Sequence, residues 1–234
     1  MQSSLQIDTP DGAFRAYTAR PLTADAAPVV VVLHEVFGVN ADMRQTCDEL
    51  AAQGYLAVCP DLLWRLEAGV DLTDRTQAEL DKAVALYSAF DVDLGVKDVA
   101  RVIAHVRAMR GSTGKVGVVG FCLGGLMTYL ASARAAADAA VAYYPGNADK
   151  YLAEASKISS PLLVHLATED EYIPKPAQQR IVDTLLQGRG NTEVHRYAGC
   201  NHAFARHSGS HYDPAAAALA NQRSTAFLAR HLGG

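Results

Sequence analysis

The chain has 234 residues, 50 % of them hydrophobic, and carries 21 basic against 25 acidic side chains for a formal net charge of −4. Without a basic block, that balance excludes the electrostatic footprint of a nucleic-acid or anionic-membrane binder, and no run approaches the ~20 apolar residues that span a bilayer. The four cysteines, Cys47, Cys59, Cys122 and Cys200, form no CxxC pair, which argues against a disulfide framework and a structural zinc site. The N-terminal residues lack the charged and apolar stretches of a secretion signal, so a cytoplasmic location is expected. The length suits one α/β domain over residues 1–234.

In chain order, Asp11-Gly12 reads as a hairpin turn and Ala13 to Tyr17 alternates like an edge strand. The continuous β-branched run Pro28-Val29-Val30-Val31-Val32-Leu33 predicts a central strand buried on both faces. Residues 40–53 predict a helix stopped by Gly54, and residues 55–59 a strand stopped by Pro60, giving a βαβ unit. Residues 62–90 depart from this rhythm, with Trp64, a charged loop and a helix predicted from Thr73 or Asp74 to about Ala89. Val96, Val99, Ile103 and Val106 then mark one buried face of a helix that ends at Gly111. The apolar run Lys115 to Val119 predicts a strand, followed by a helix from near Leu126. Strands are expected over 139–144, 161–167 and 192–197, and helices over 174–187 and 213–231. The alanine runs at 135–137 and 215–218 are both expected in helix. Strands alternating with helices imply a mostly parallel sheet covered on both faces, with its functional loops at the carboxyl edge.

Between the strand ending at Val119 and the next helix lies Gly120-Phe121-Cys122-Leu123-Gly124, the form of a nucleophile elbow with cysteine in place of serine. Glycines on either side let neighbouring backbone approach a sharp strand-to-helix corner. A plain turn holding a buried free cysteine has the same local pattern. Asp170 follows the strand predicted at 161–167 and His202 the one at 192–197, so nucleophile, acid and histidine occur in the order of an α/β-hydrolase triad. A thiol is mostly protonated at neutral pH, so attack by Cys122 needs a base, which His202 supplies while Asp170 orients the imidazole. The backbone N–H groups of Leu123 and Val36 are the candidate oxyanion donors by position.

Taken together, His34-Glu35-Val36-Phe37-Gly38-Val39-Asn40, Val58-Cys59-Pro60-Asp61-Leu62, Gly117 to Gly125 and His202-Ala203-Phe204-Ala205-Arg206 resemble the dienelactone hydrolase (carboxymethylenebutenolidase) family. The resemblance runs from about residue 28 to the C-terminal helix. It implies an α/β-hydrolase fold, Cys122 as nucleophile, Asp170 and His202 as the other triad members, and Glu35 as an accessory carboxylate that exchanges partners between the thiol and an arginine. It also implies that Arg206 binds a substrate carboxylate. At the positions of a second family arginine and its aromatic partner this sequence has Leu80 and Val84, with Lys82 or Arg75 as candidate replacements. Phe37, Trp64 and Tyr87 are candidates for the apolar wall of the pocket. The expected partner is a small ester or lactone, anionic in character, hydrolysed through a thioacyl-enzyme without a cofactor. A broader carboxylesterase or thioesterase is the nearest alternative, and a non-catalytic binding or redox-sensing protein the alternative of another class. Cys200, His202, His207 and His211 have no common zinc-ligand spacing, so no metal is expected.

Overall fold

The computed structural model describes residues 2–22, 25–187 and 190–233. One eight-stranded sheet organises them, in the order β1-β2-β4-β3-β5-β6-β7-β8. The hairpin β1 (Gln2–Thr9) and β2 (Gly12–Ala19) joins the sheet antiparallel through β2 and β4 (Leu56–Pro60). The remaining strands are parallel: β3 (Ala27–Leu33), β5 (Ser112–Phe121), β6 (Ala139–Tyr143), β7 (Leu162–Ala167) and β8 (Thr192–Tyr197). β3 lies between β4 and β5, as its two-sided burial requires, and β4, β6 and β7 are buried along their whole length.

Helices cover the sheet. α3 (Val92–Ala108) buries Val96, Val99, Val102, Ile103 and Val106 and packs on β5 beside α4 (Leu123–Arg134). α1 (Ala41–Ala52) packs on β4, and α6 (Pro214–Leu232) on β5 to β7, the two linked by Thr225 Oγ1 donating to Gln53 Oε1 at 3.0 Å. α2 (Gln77–Ala89) and α5 (Lys175–Leu186) complete the set, and a 3₁₀ segment (Ala148–Lys157) packs against both α4 and α5. Polar side chains fix the starts of several helices: Asn40, Thr76, Asp91 and Asp213 each accept from an N–H of the first turn. This is an α/β-hydrolase fold. Among the described residues no helix is long and apolar enough to cross a membrane.

The structure corrects several sequence-based expectations. β1 has no counterpart among the predicted strands because an edge strand facing solvent is mostly polar, and its presence moves β2 one place inward. α2 starts at Gln77, not at Thr73 or Asp74, because Thr76 caps it: Thr76 Oγ1 accepts from the Glu79 N–H at 3.3 Å, while the Glu79 carboxylate turns back to accept from the Thr73 N–H at 3.0 Å. α4 starts at Leu123, directly after Cys122, rather than near Leu126. It ends at Arg134, so residues 135–137 are not helical. There the chain turns so that Asp138 can accept from the Val116 N–H (2.9 Å) and Arg107 Nη1 (2.7 Å), which outweighs the helix preference of alanine.

Candidate active site

Four strand ends converge at the carboxyl edge of the sheet. Glu35, Val36 and Phe37 follow β3, Cys122 follows β5, Asp170 follows β7 and His202 follows β8. All except Asp170 line one cavity of about 410 Å³.

Cys122 occupies the corner between β5 and α4 with φ 52° and ψ −110°, a conformation that an L-residue adopts only under constraint. The constraint is visible in the glycines. A Cβ on Gly120 would stand 2.0 Å from the Gly124 carbonyl oxygen, and one on Gly124 would stand 2.0 Å from that of Leu33. The Gly124 N–H donates to the His34 carbonyl oxygen at 3.1 Å, so the elbow is tied to the end of β3. Leu123 opens α4, where its N–H has no preceding turn to bond. Among the described residues, Tyr144 (φ 36°), Asn147 (φ 62°) and Ala203 (φ 62°) are the other non-glycine residues with positive φ. Asn147 and Ala203 line the cavity and Tyr144 packs on His202, so backbone strain is concentrated at this site.

His202 Nδ1 and Asp170 Oδ2 are 2.8 Å apart, both nearly sealed from solvent. Asp170 is fixed in turn through Oδ1, which accepts from the N–H groups of Tyr172 (2.9 Å) and Ile173 (3.0 Å). The imidazole lies between the rings of Tyr144 and Tyr172, each with its centroid 4.9 Å away. Burial pushes the His202 pKa down, but the negative charge of a Cys122 thiolate and the hydrogen bond to Asp170 outweigh it and raise the value to about 10. Its Nε2 is buried with no hydrogen-bond partner among the described residues. The ring is held by one nitrogen and presents the other to chemistry.

Arg206 is enclosed. Nη1 donates to Glu35 Oε2 at 2.9 Å, Nη2 donates to Asp74 Oδ2 at 2.6 Å, and the guanidinium carbon lies 4.8 Å from the centre of the Phe37 ring. Asp74 also accepts from the Ser210 N–H at 3.1 Å. Burial opposes its charge, but the Ser210 N–H and Arg206 prevail and lower its pKa, so it is ionised at neutral pH. Glu35 Oε1 and the Tyr144 hydroxyl are buried without a hydrogen-bond partner among the described residues. Burial, with Glu35 adding to it, raises the Tyr144 pKa well above its ordinary value and keeps the phenol protonated. His34, buried behind the loop, contacts the Glu35 carbonyl oxygen through Nδ1 (2.5 Å) and accepts from the Leu62 N–H through Nε2 (2.9 Å). Burial lowers its pKa, so it is a neutral brace for the β3 loop.

Of the residues singled out in the sequence, Cys122, His202, Glu35, Arg206, Val36, Phe37 and Tyr87 line the cavity, with Asp170 directly behind His202 and Leu123 adjoining Cys122. Leu80 and Val84 line it too, whereas Lys82 pairs with Glu67 at 2.6 Å and neither Lys82 nor Arg75 reaches it. Trp64 is a correction. Its ring stacks on Phe14 (centroids 5.3 Å apart) and its Nε1 donates to Asp98 at 2.9 Å, so it fastens β2 to α3 away from the cavity. Asp74, Asn147 and Tyr172 are lining residues that the sequence did not reveal, and His211, weighed there only as a metal ligand, lines the cavity as well. Of the histidines and cysteine weighed as zinc ligands, His202 is on Asp170 while His207 faces Glu49 (3.4 Å) and His211 faces Glu171 (3.8 Å). Among the described residues no group of three such side chains is placed to hold a metal ion.

A model of the dienelactone hydrolase family matches residues 14–232. The chain is 40 % identical to a carboxymethylenebutenolidase of Pseudomonas putida, over 98 % of its own length and 97 % of the relative's. It is 42 % identical to an Azospirillum brasilense protein described as a putative carboxymethylenebutenolidase, over 95 % and 96 % of the two chains. Among solved structures, a Klebsiella pneumoniae protein described as a putative dienelactone hydrolase superposes with a TM-score of 0.86 at 26 % identity, covering 98 % of each chain.

Proposed function

The chain belongs to the dienelactone hydrolase family, and from that premise we propose that it opens small lactones or cleaves small esters with Cys122 as the nucleophile. It is a hydrolase of ester or lactone bonds. The observation that carries the finer reading is the shared cavity of Cys122 and His202, with His202 Nδ1 committed to Asp170 and Nε2 without a partner among the described residues.

In the proposed reaction His202 Nε2 holds the proton drawn from Cys122, and the Sγ thiolate of that ion pair attacks the acyl carbon, so that the negative charge moves onto the carbonyl oxygen. The N–H groups of Leu123 and Val36 stabilise that oxygen, the first being unpaired within its helix by geometry. Collapse expels the alcohol, or in a lactone the ring oxygen, which takes the proton back from His202 and leaves a thioester on Cys122. Water, deprotonated by His202, then attacks the thioester, releases the acid and regenerates the thiol. Asp170 keeps the imidazole oriented and balances its transient positive charge. Glu35 serves as an accessory carboxylate, bound to Arg206 through one oxygen and with the other unpartnered among the described residues. The anionic substrate that the sequence suggests would have to be read by Arg206, so the state of that guanidinium decides the substrate's charge.

The test compares wild type with Cys122→Ala on para-nitrophenyl butyrate. Turnover is expected to fall by about 10⁴-fold, the scale of losing a triad member, with the melting temperature retained. Undiminished turnover in the variant overturns the mechanism.

A further inference from the structure

We infer that Tyr87 and Asn147 form a second polar subsite of the cavity, which selects esters and lactones carrying an oxygen acceptor, a keto or carboxylate oxygen, on the acyl portion. The inference rests on the hydrolase reading given above and names a recognition element of that same site.

The pair differs from the wall around it. Asn147 Nδ2 donates to the Tyr87 hydroxyl, and both side chains line the cavity that holds Cys122. Their lining neighbours on α2, Leu80, Ala83 and Val84, are apolar. The bond between phenol and amide uses a single hydrogen, and neither group has another hydrogen-bond partner among the described residues. Whichever way the amide is turned, a phenol O–H or an amide N–H is left for a ligand. Such donors favour a ligand that brings an acceptor oxygen and penalise the analogue that lacks it.

Local structure turns Asn147 to this use. It precedes the 3₁₀ segment at Ala148, where an asparagine side chain ordinarily accepts from an N–H of the first turn, yet it makes no such bond. Its backbone is left-handed, with φ 62° and ψ 10°, a conformation in which asparagine is enriched, and its amide crosses to α2. The segment is fixed relative to the nucleophile. The Gly146 N–H donates to the Cys122 carbonyl oxygen at 3.4 Å, and a Cβ on Gly146 would stand 3.9 Å from the Tyr87 hydroxyl. Burial raises the Tyr87 pKa, with the Cys122 charge adding to it, so the phenol keeps its proton at neutral pH.

This subsite is separate from the charged end of the cavity, where Arg206 meets Glu35 and Asp74. The leaving oxygen must reach His202 Nε2 for its proton, so the leaving group belongs on the His202 side. Among the described residues neither Tyr87 nor Asn147 bonds to or stacks on His202, Tyr172 or His211, which assigns the pair to the acyl portion.

The experiment compares kcat/KM for para-nitrophenyl levulinate and para-nitrophenyl valerate, which differ by a keto oxygen on acyl chains of equal length, with para-nitrophenyl hemisuccinate as the carboxylate arm. Tyr87→Phe keeps the ring and removes the hydroxyl, and Asn147→Gly tolerates the left-handed backbone and removes the amide. Each should lower the ratio of an acceptor-bearing ester to valerate by about five- to tenfold against wild type, the scale of one neutral hydrogen bond. A fall for levulinate alone assigns neutral carbonyls, a fall for hemisuccinate alone assigns carboxylates, and a fall for both assigns either acceptor; all three support the subsite. If both ratios stay at the wild-type value in either variant, the pair only fastens α2 to the 3₁₀ segment and the inference is overturned. NMR titration of the Cys122→Ala protein with methyl levulinate, methyl valerate and monomethyl succinate, with and without Tyr87→Phe, reads the same site without turnover, and the affinity ratios should shift in the same direction. If hydrolysis proves independent of Cys122, the hydrolase mechanism fails, and the titration alone decides the role of the pair. If hydrolysis depends on Cys122 and neither the turnover ratios nor the affinity ratios move, the inference about Tyr87 and Asn147 fails by itself.

Discussion

Gly124 presses against Leu33: a Cβ at position 124 would stand 2.0 Å from the Leu33 carbonyl oxygen, far inside any real contact. The obstacle is backbone of the central strand, so no side-chain rotation relieves it. Gly124→Ala is expected to lose about 3 kcal/mol or more in urea denaturation, the upper end of overpacking costs, and to lose hydrolysis with it. Gly54 supplies the contrast. Its φ is 98° but no atom lies within 4 Å of a built Cβ. Gly54→Ala should therefore cost only the ~1–2 kcal/mol of a left-handed backbone and leave kcat/KM at the wild-type level.

Trp64 holds structure rather than substrate. Its ring stacks on Phe14, the Arg65 guanidinium carbon sits 4.4 Å above it, and its Nε1 bonds Asp98, which also takes Arg65 Nε at 2.8 Å. Trp64→Ala should lower the unfolding free energy by about 3–5 kcal/mol while the folded fraction retains wild-type kcat/KM. A selective rise in KM, with stability unchanged, would put the ring back in the pocket.

The difference between Trp64 and Phe37 shows what the sequence could and could not supply. Both are aromatic residues near a strand end, and burial alone does not distinguish a wall facing ligand from one facing core. The parallel strands were legible because burial on both faces leaves continuous apolar runs such as Val29 to Leu33. The triad was legible because Cys122, Asp170 and His202 each stand just past such a run. β1 was not, since on an edge exposed to solvent only Ile7 of its described side chains is fully buried. Asp74 was hidden for a different reason: its partner Arg206 is 132 positions away, and the pairing depends on where α2 begins. Tyr144 and Tyr172 likewise acquire meaning only from the placement of His202 between them.

The raised pKa of His202 links the site to stability. With a folded value of about 10 against about 6.5 in the unfolded chain, the charged imidazole stabilises the fold fully below pH about 6.5, and that contribution is lost as pH rises towards 10. Burial acts in the opposite direction, and the Cys122 charge is the largest of the influences that overcome it. In Cys122→Ala the His202 pKa, followed by NMR, should fall, and the decline of melting temperature between pH 7 and 10 should flatten. An unchanged His202 titration in that variant would remove the thiol from its surroundings.

Asp170→Asn tests orientation with almost no change of shape. The amide oxygen of the variant can take the place of Asp170 Oδ1, which accepts from the Tyr172 and Ile173 N–H groups at 2.9 and 3.0 Å, so the loop should keep its conformation. The amide nitrogen would then face His202 Nδ1, where Asp170 Oδ2 now sits at 2.8 Å. A donor there makes Nδ1 the acceptor and puts the ring proton on Nε2, the nitrogen that must receive the thiol proton. The expected result is a drop in kcat of about 10³–10⁴-fold with the melting temperature lowered far less than in Gly124→Ala. Retention of more than about a tenth of wild-type kcat would mean that His202 does not act as the base through Nε2.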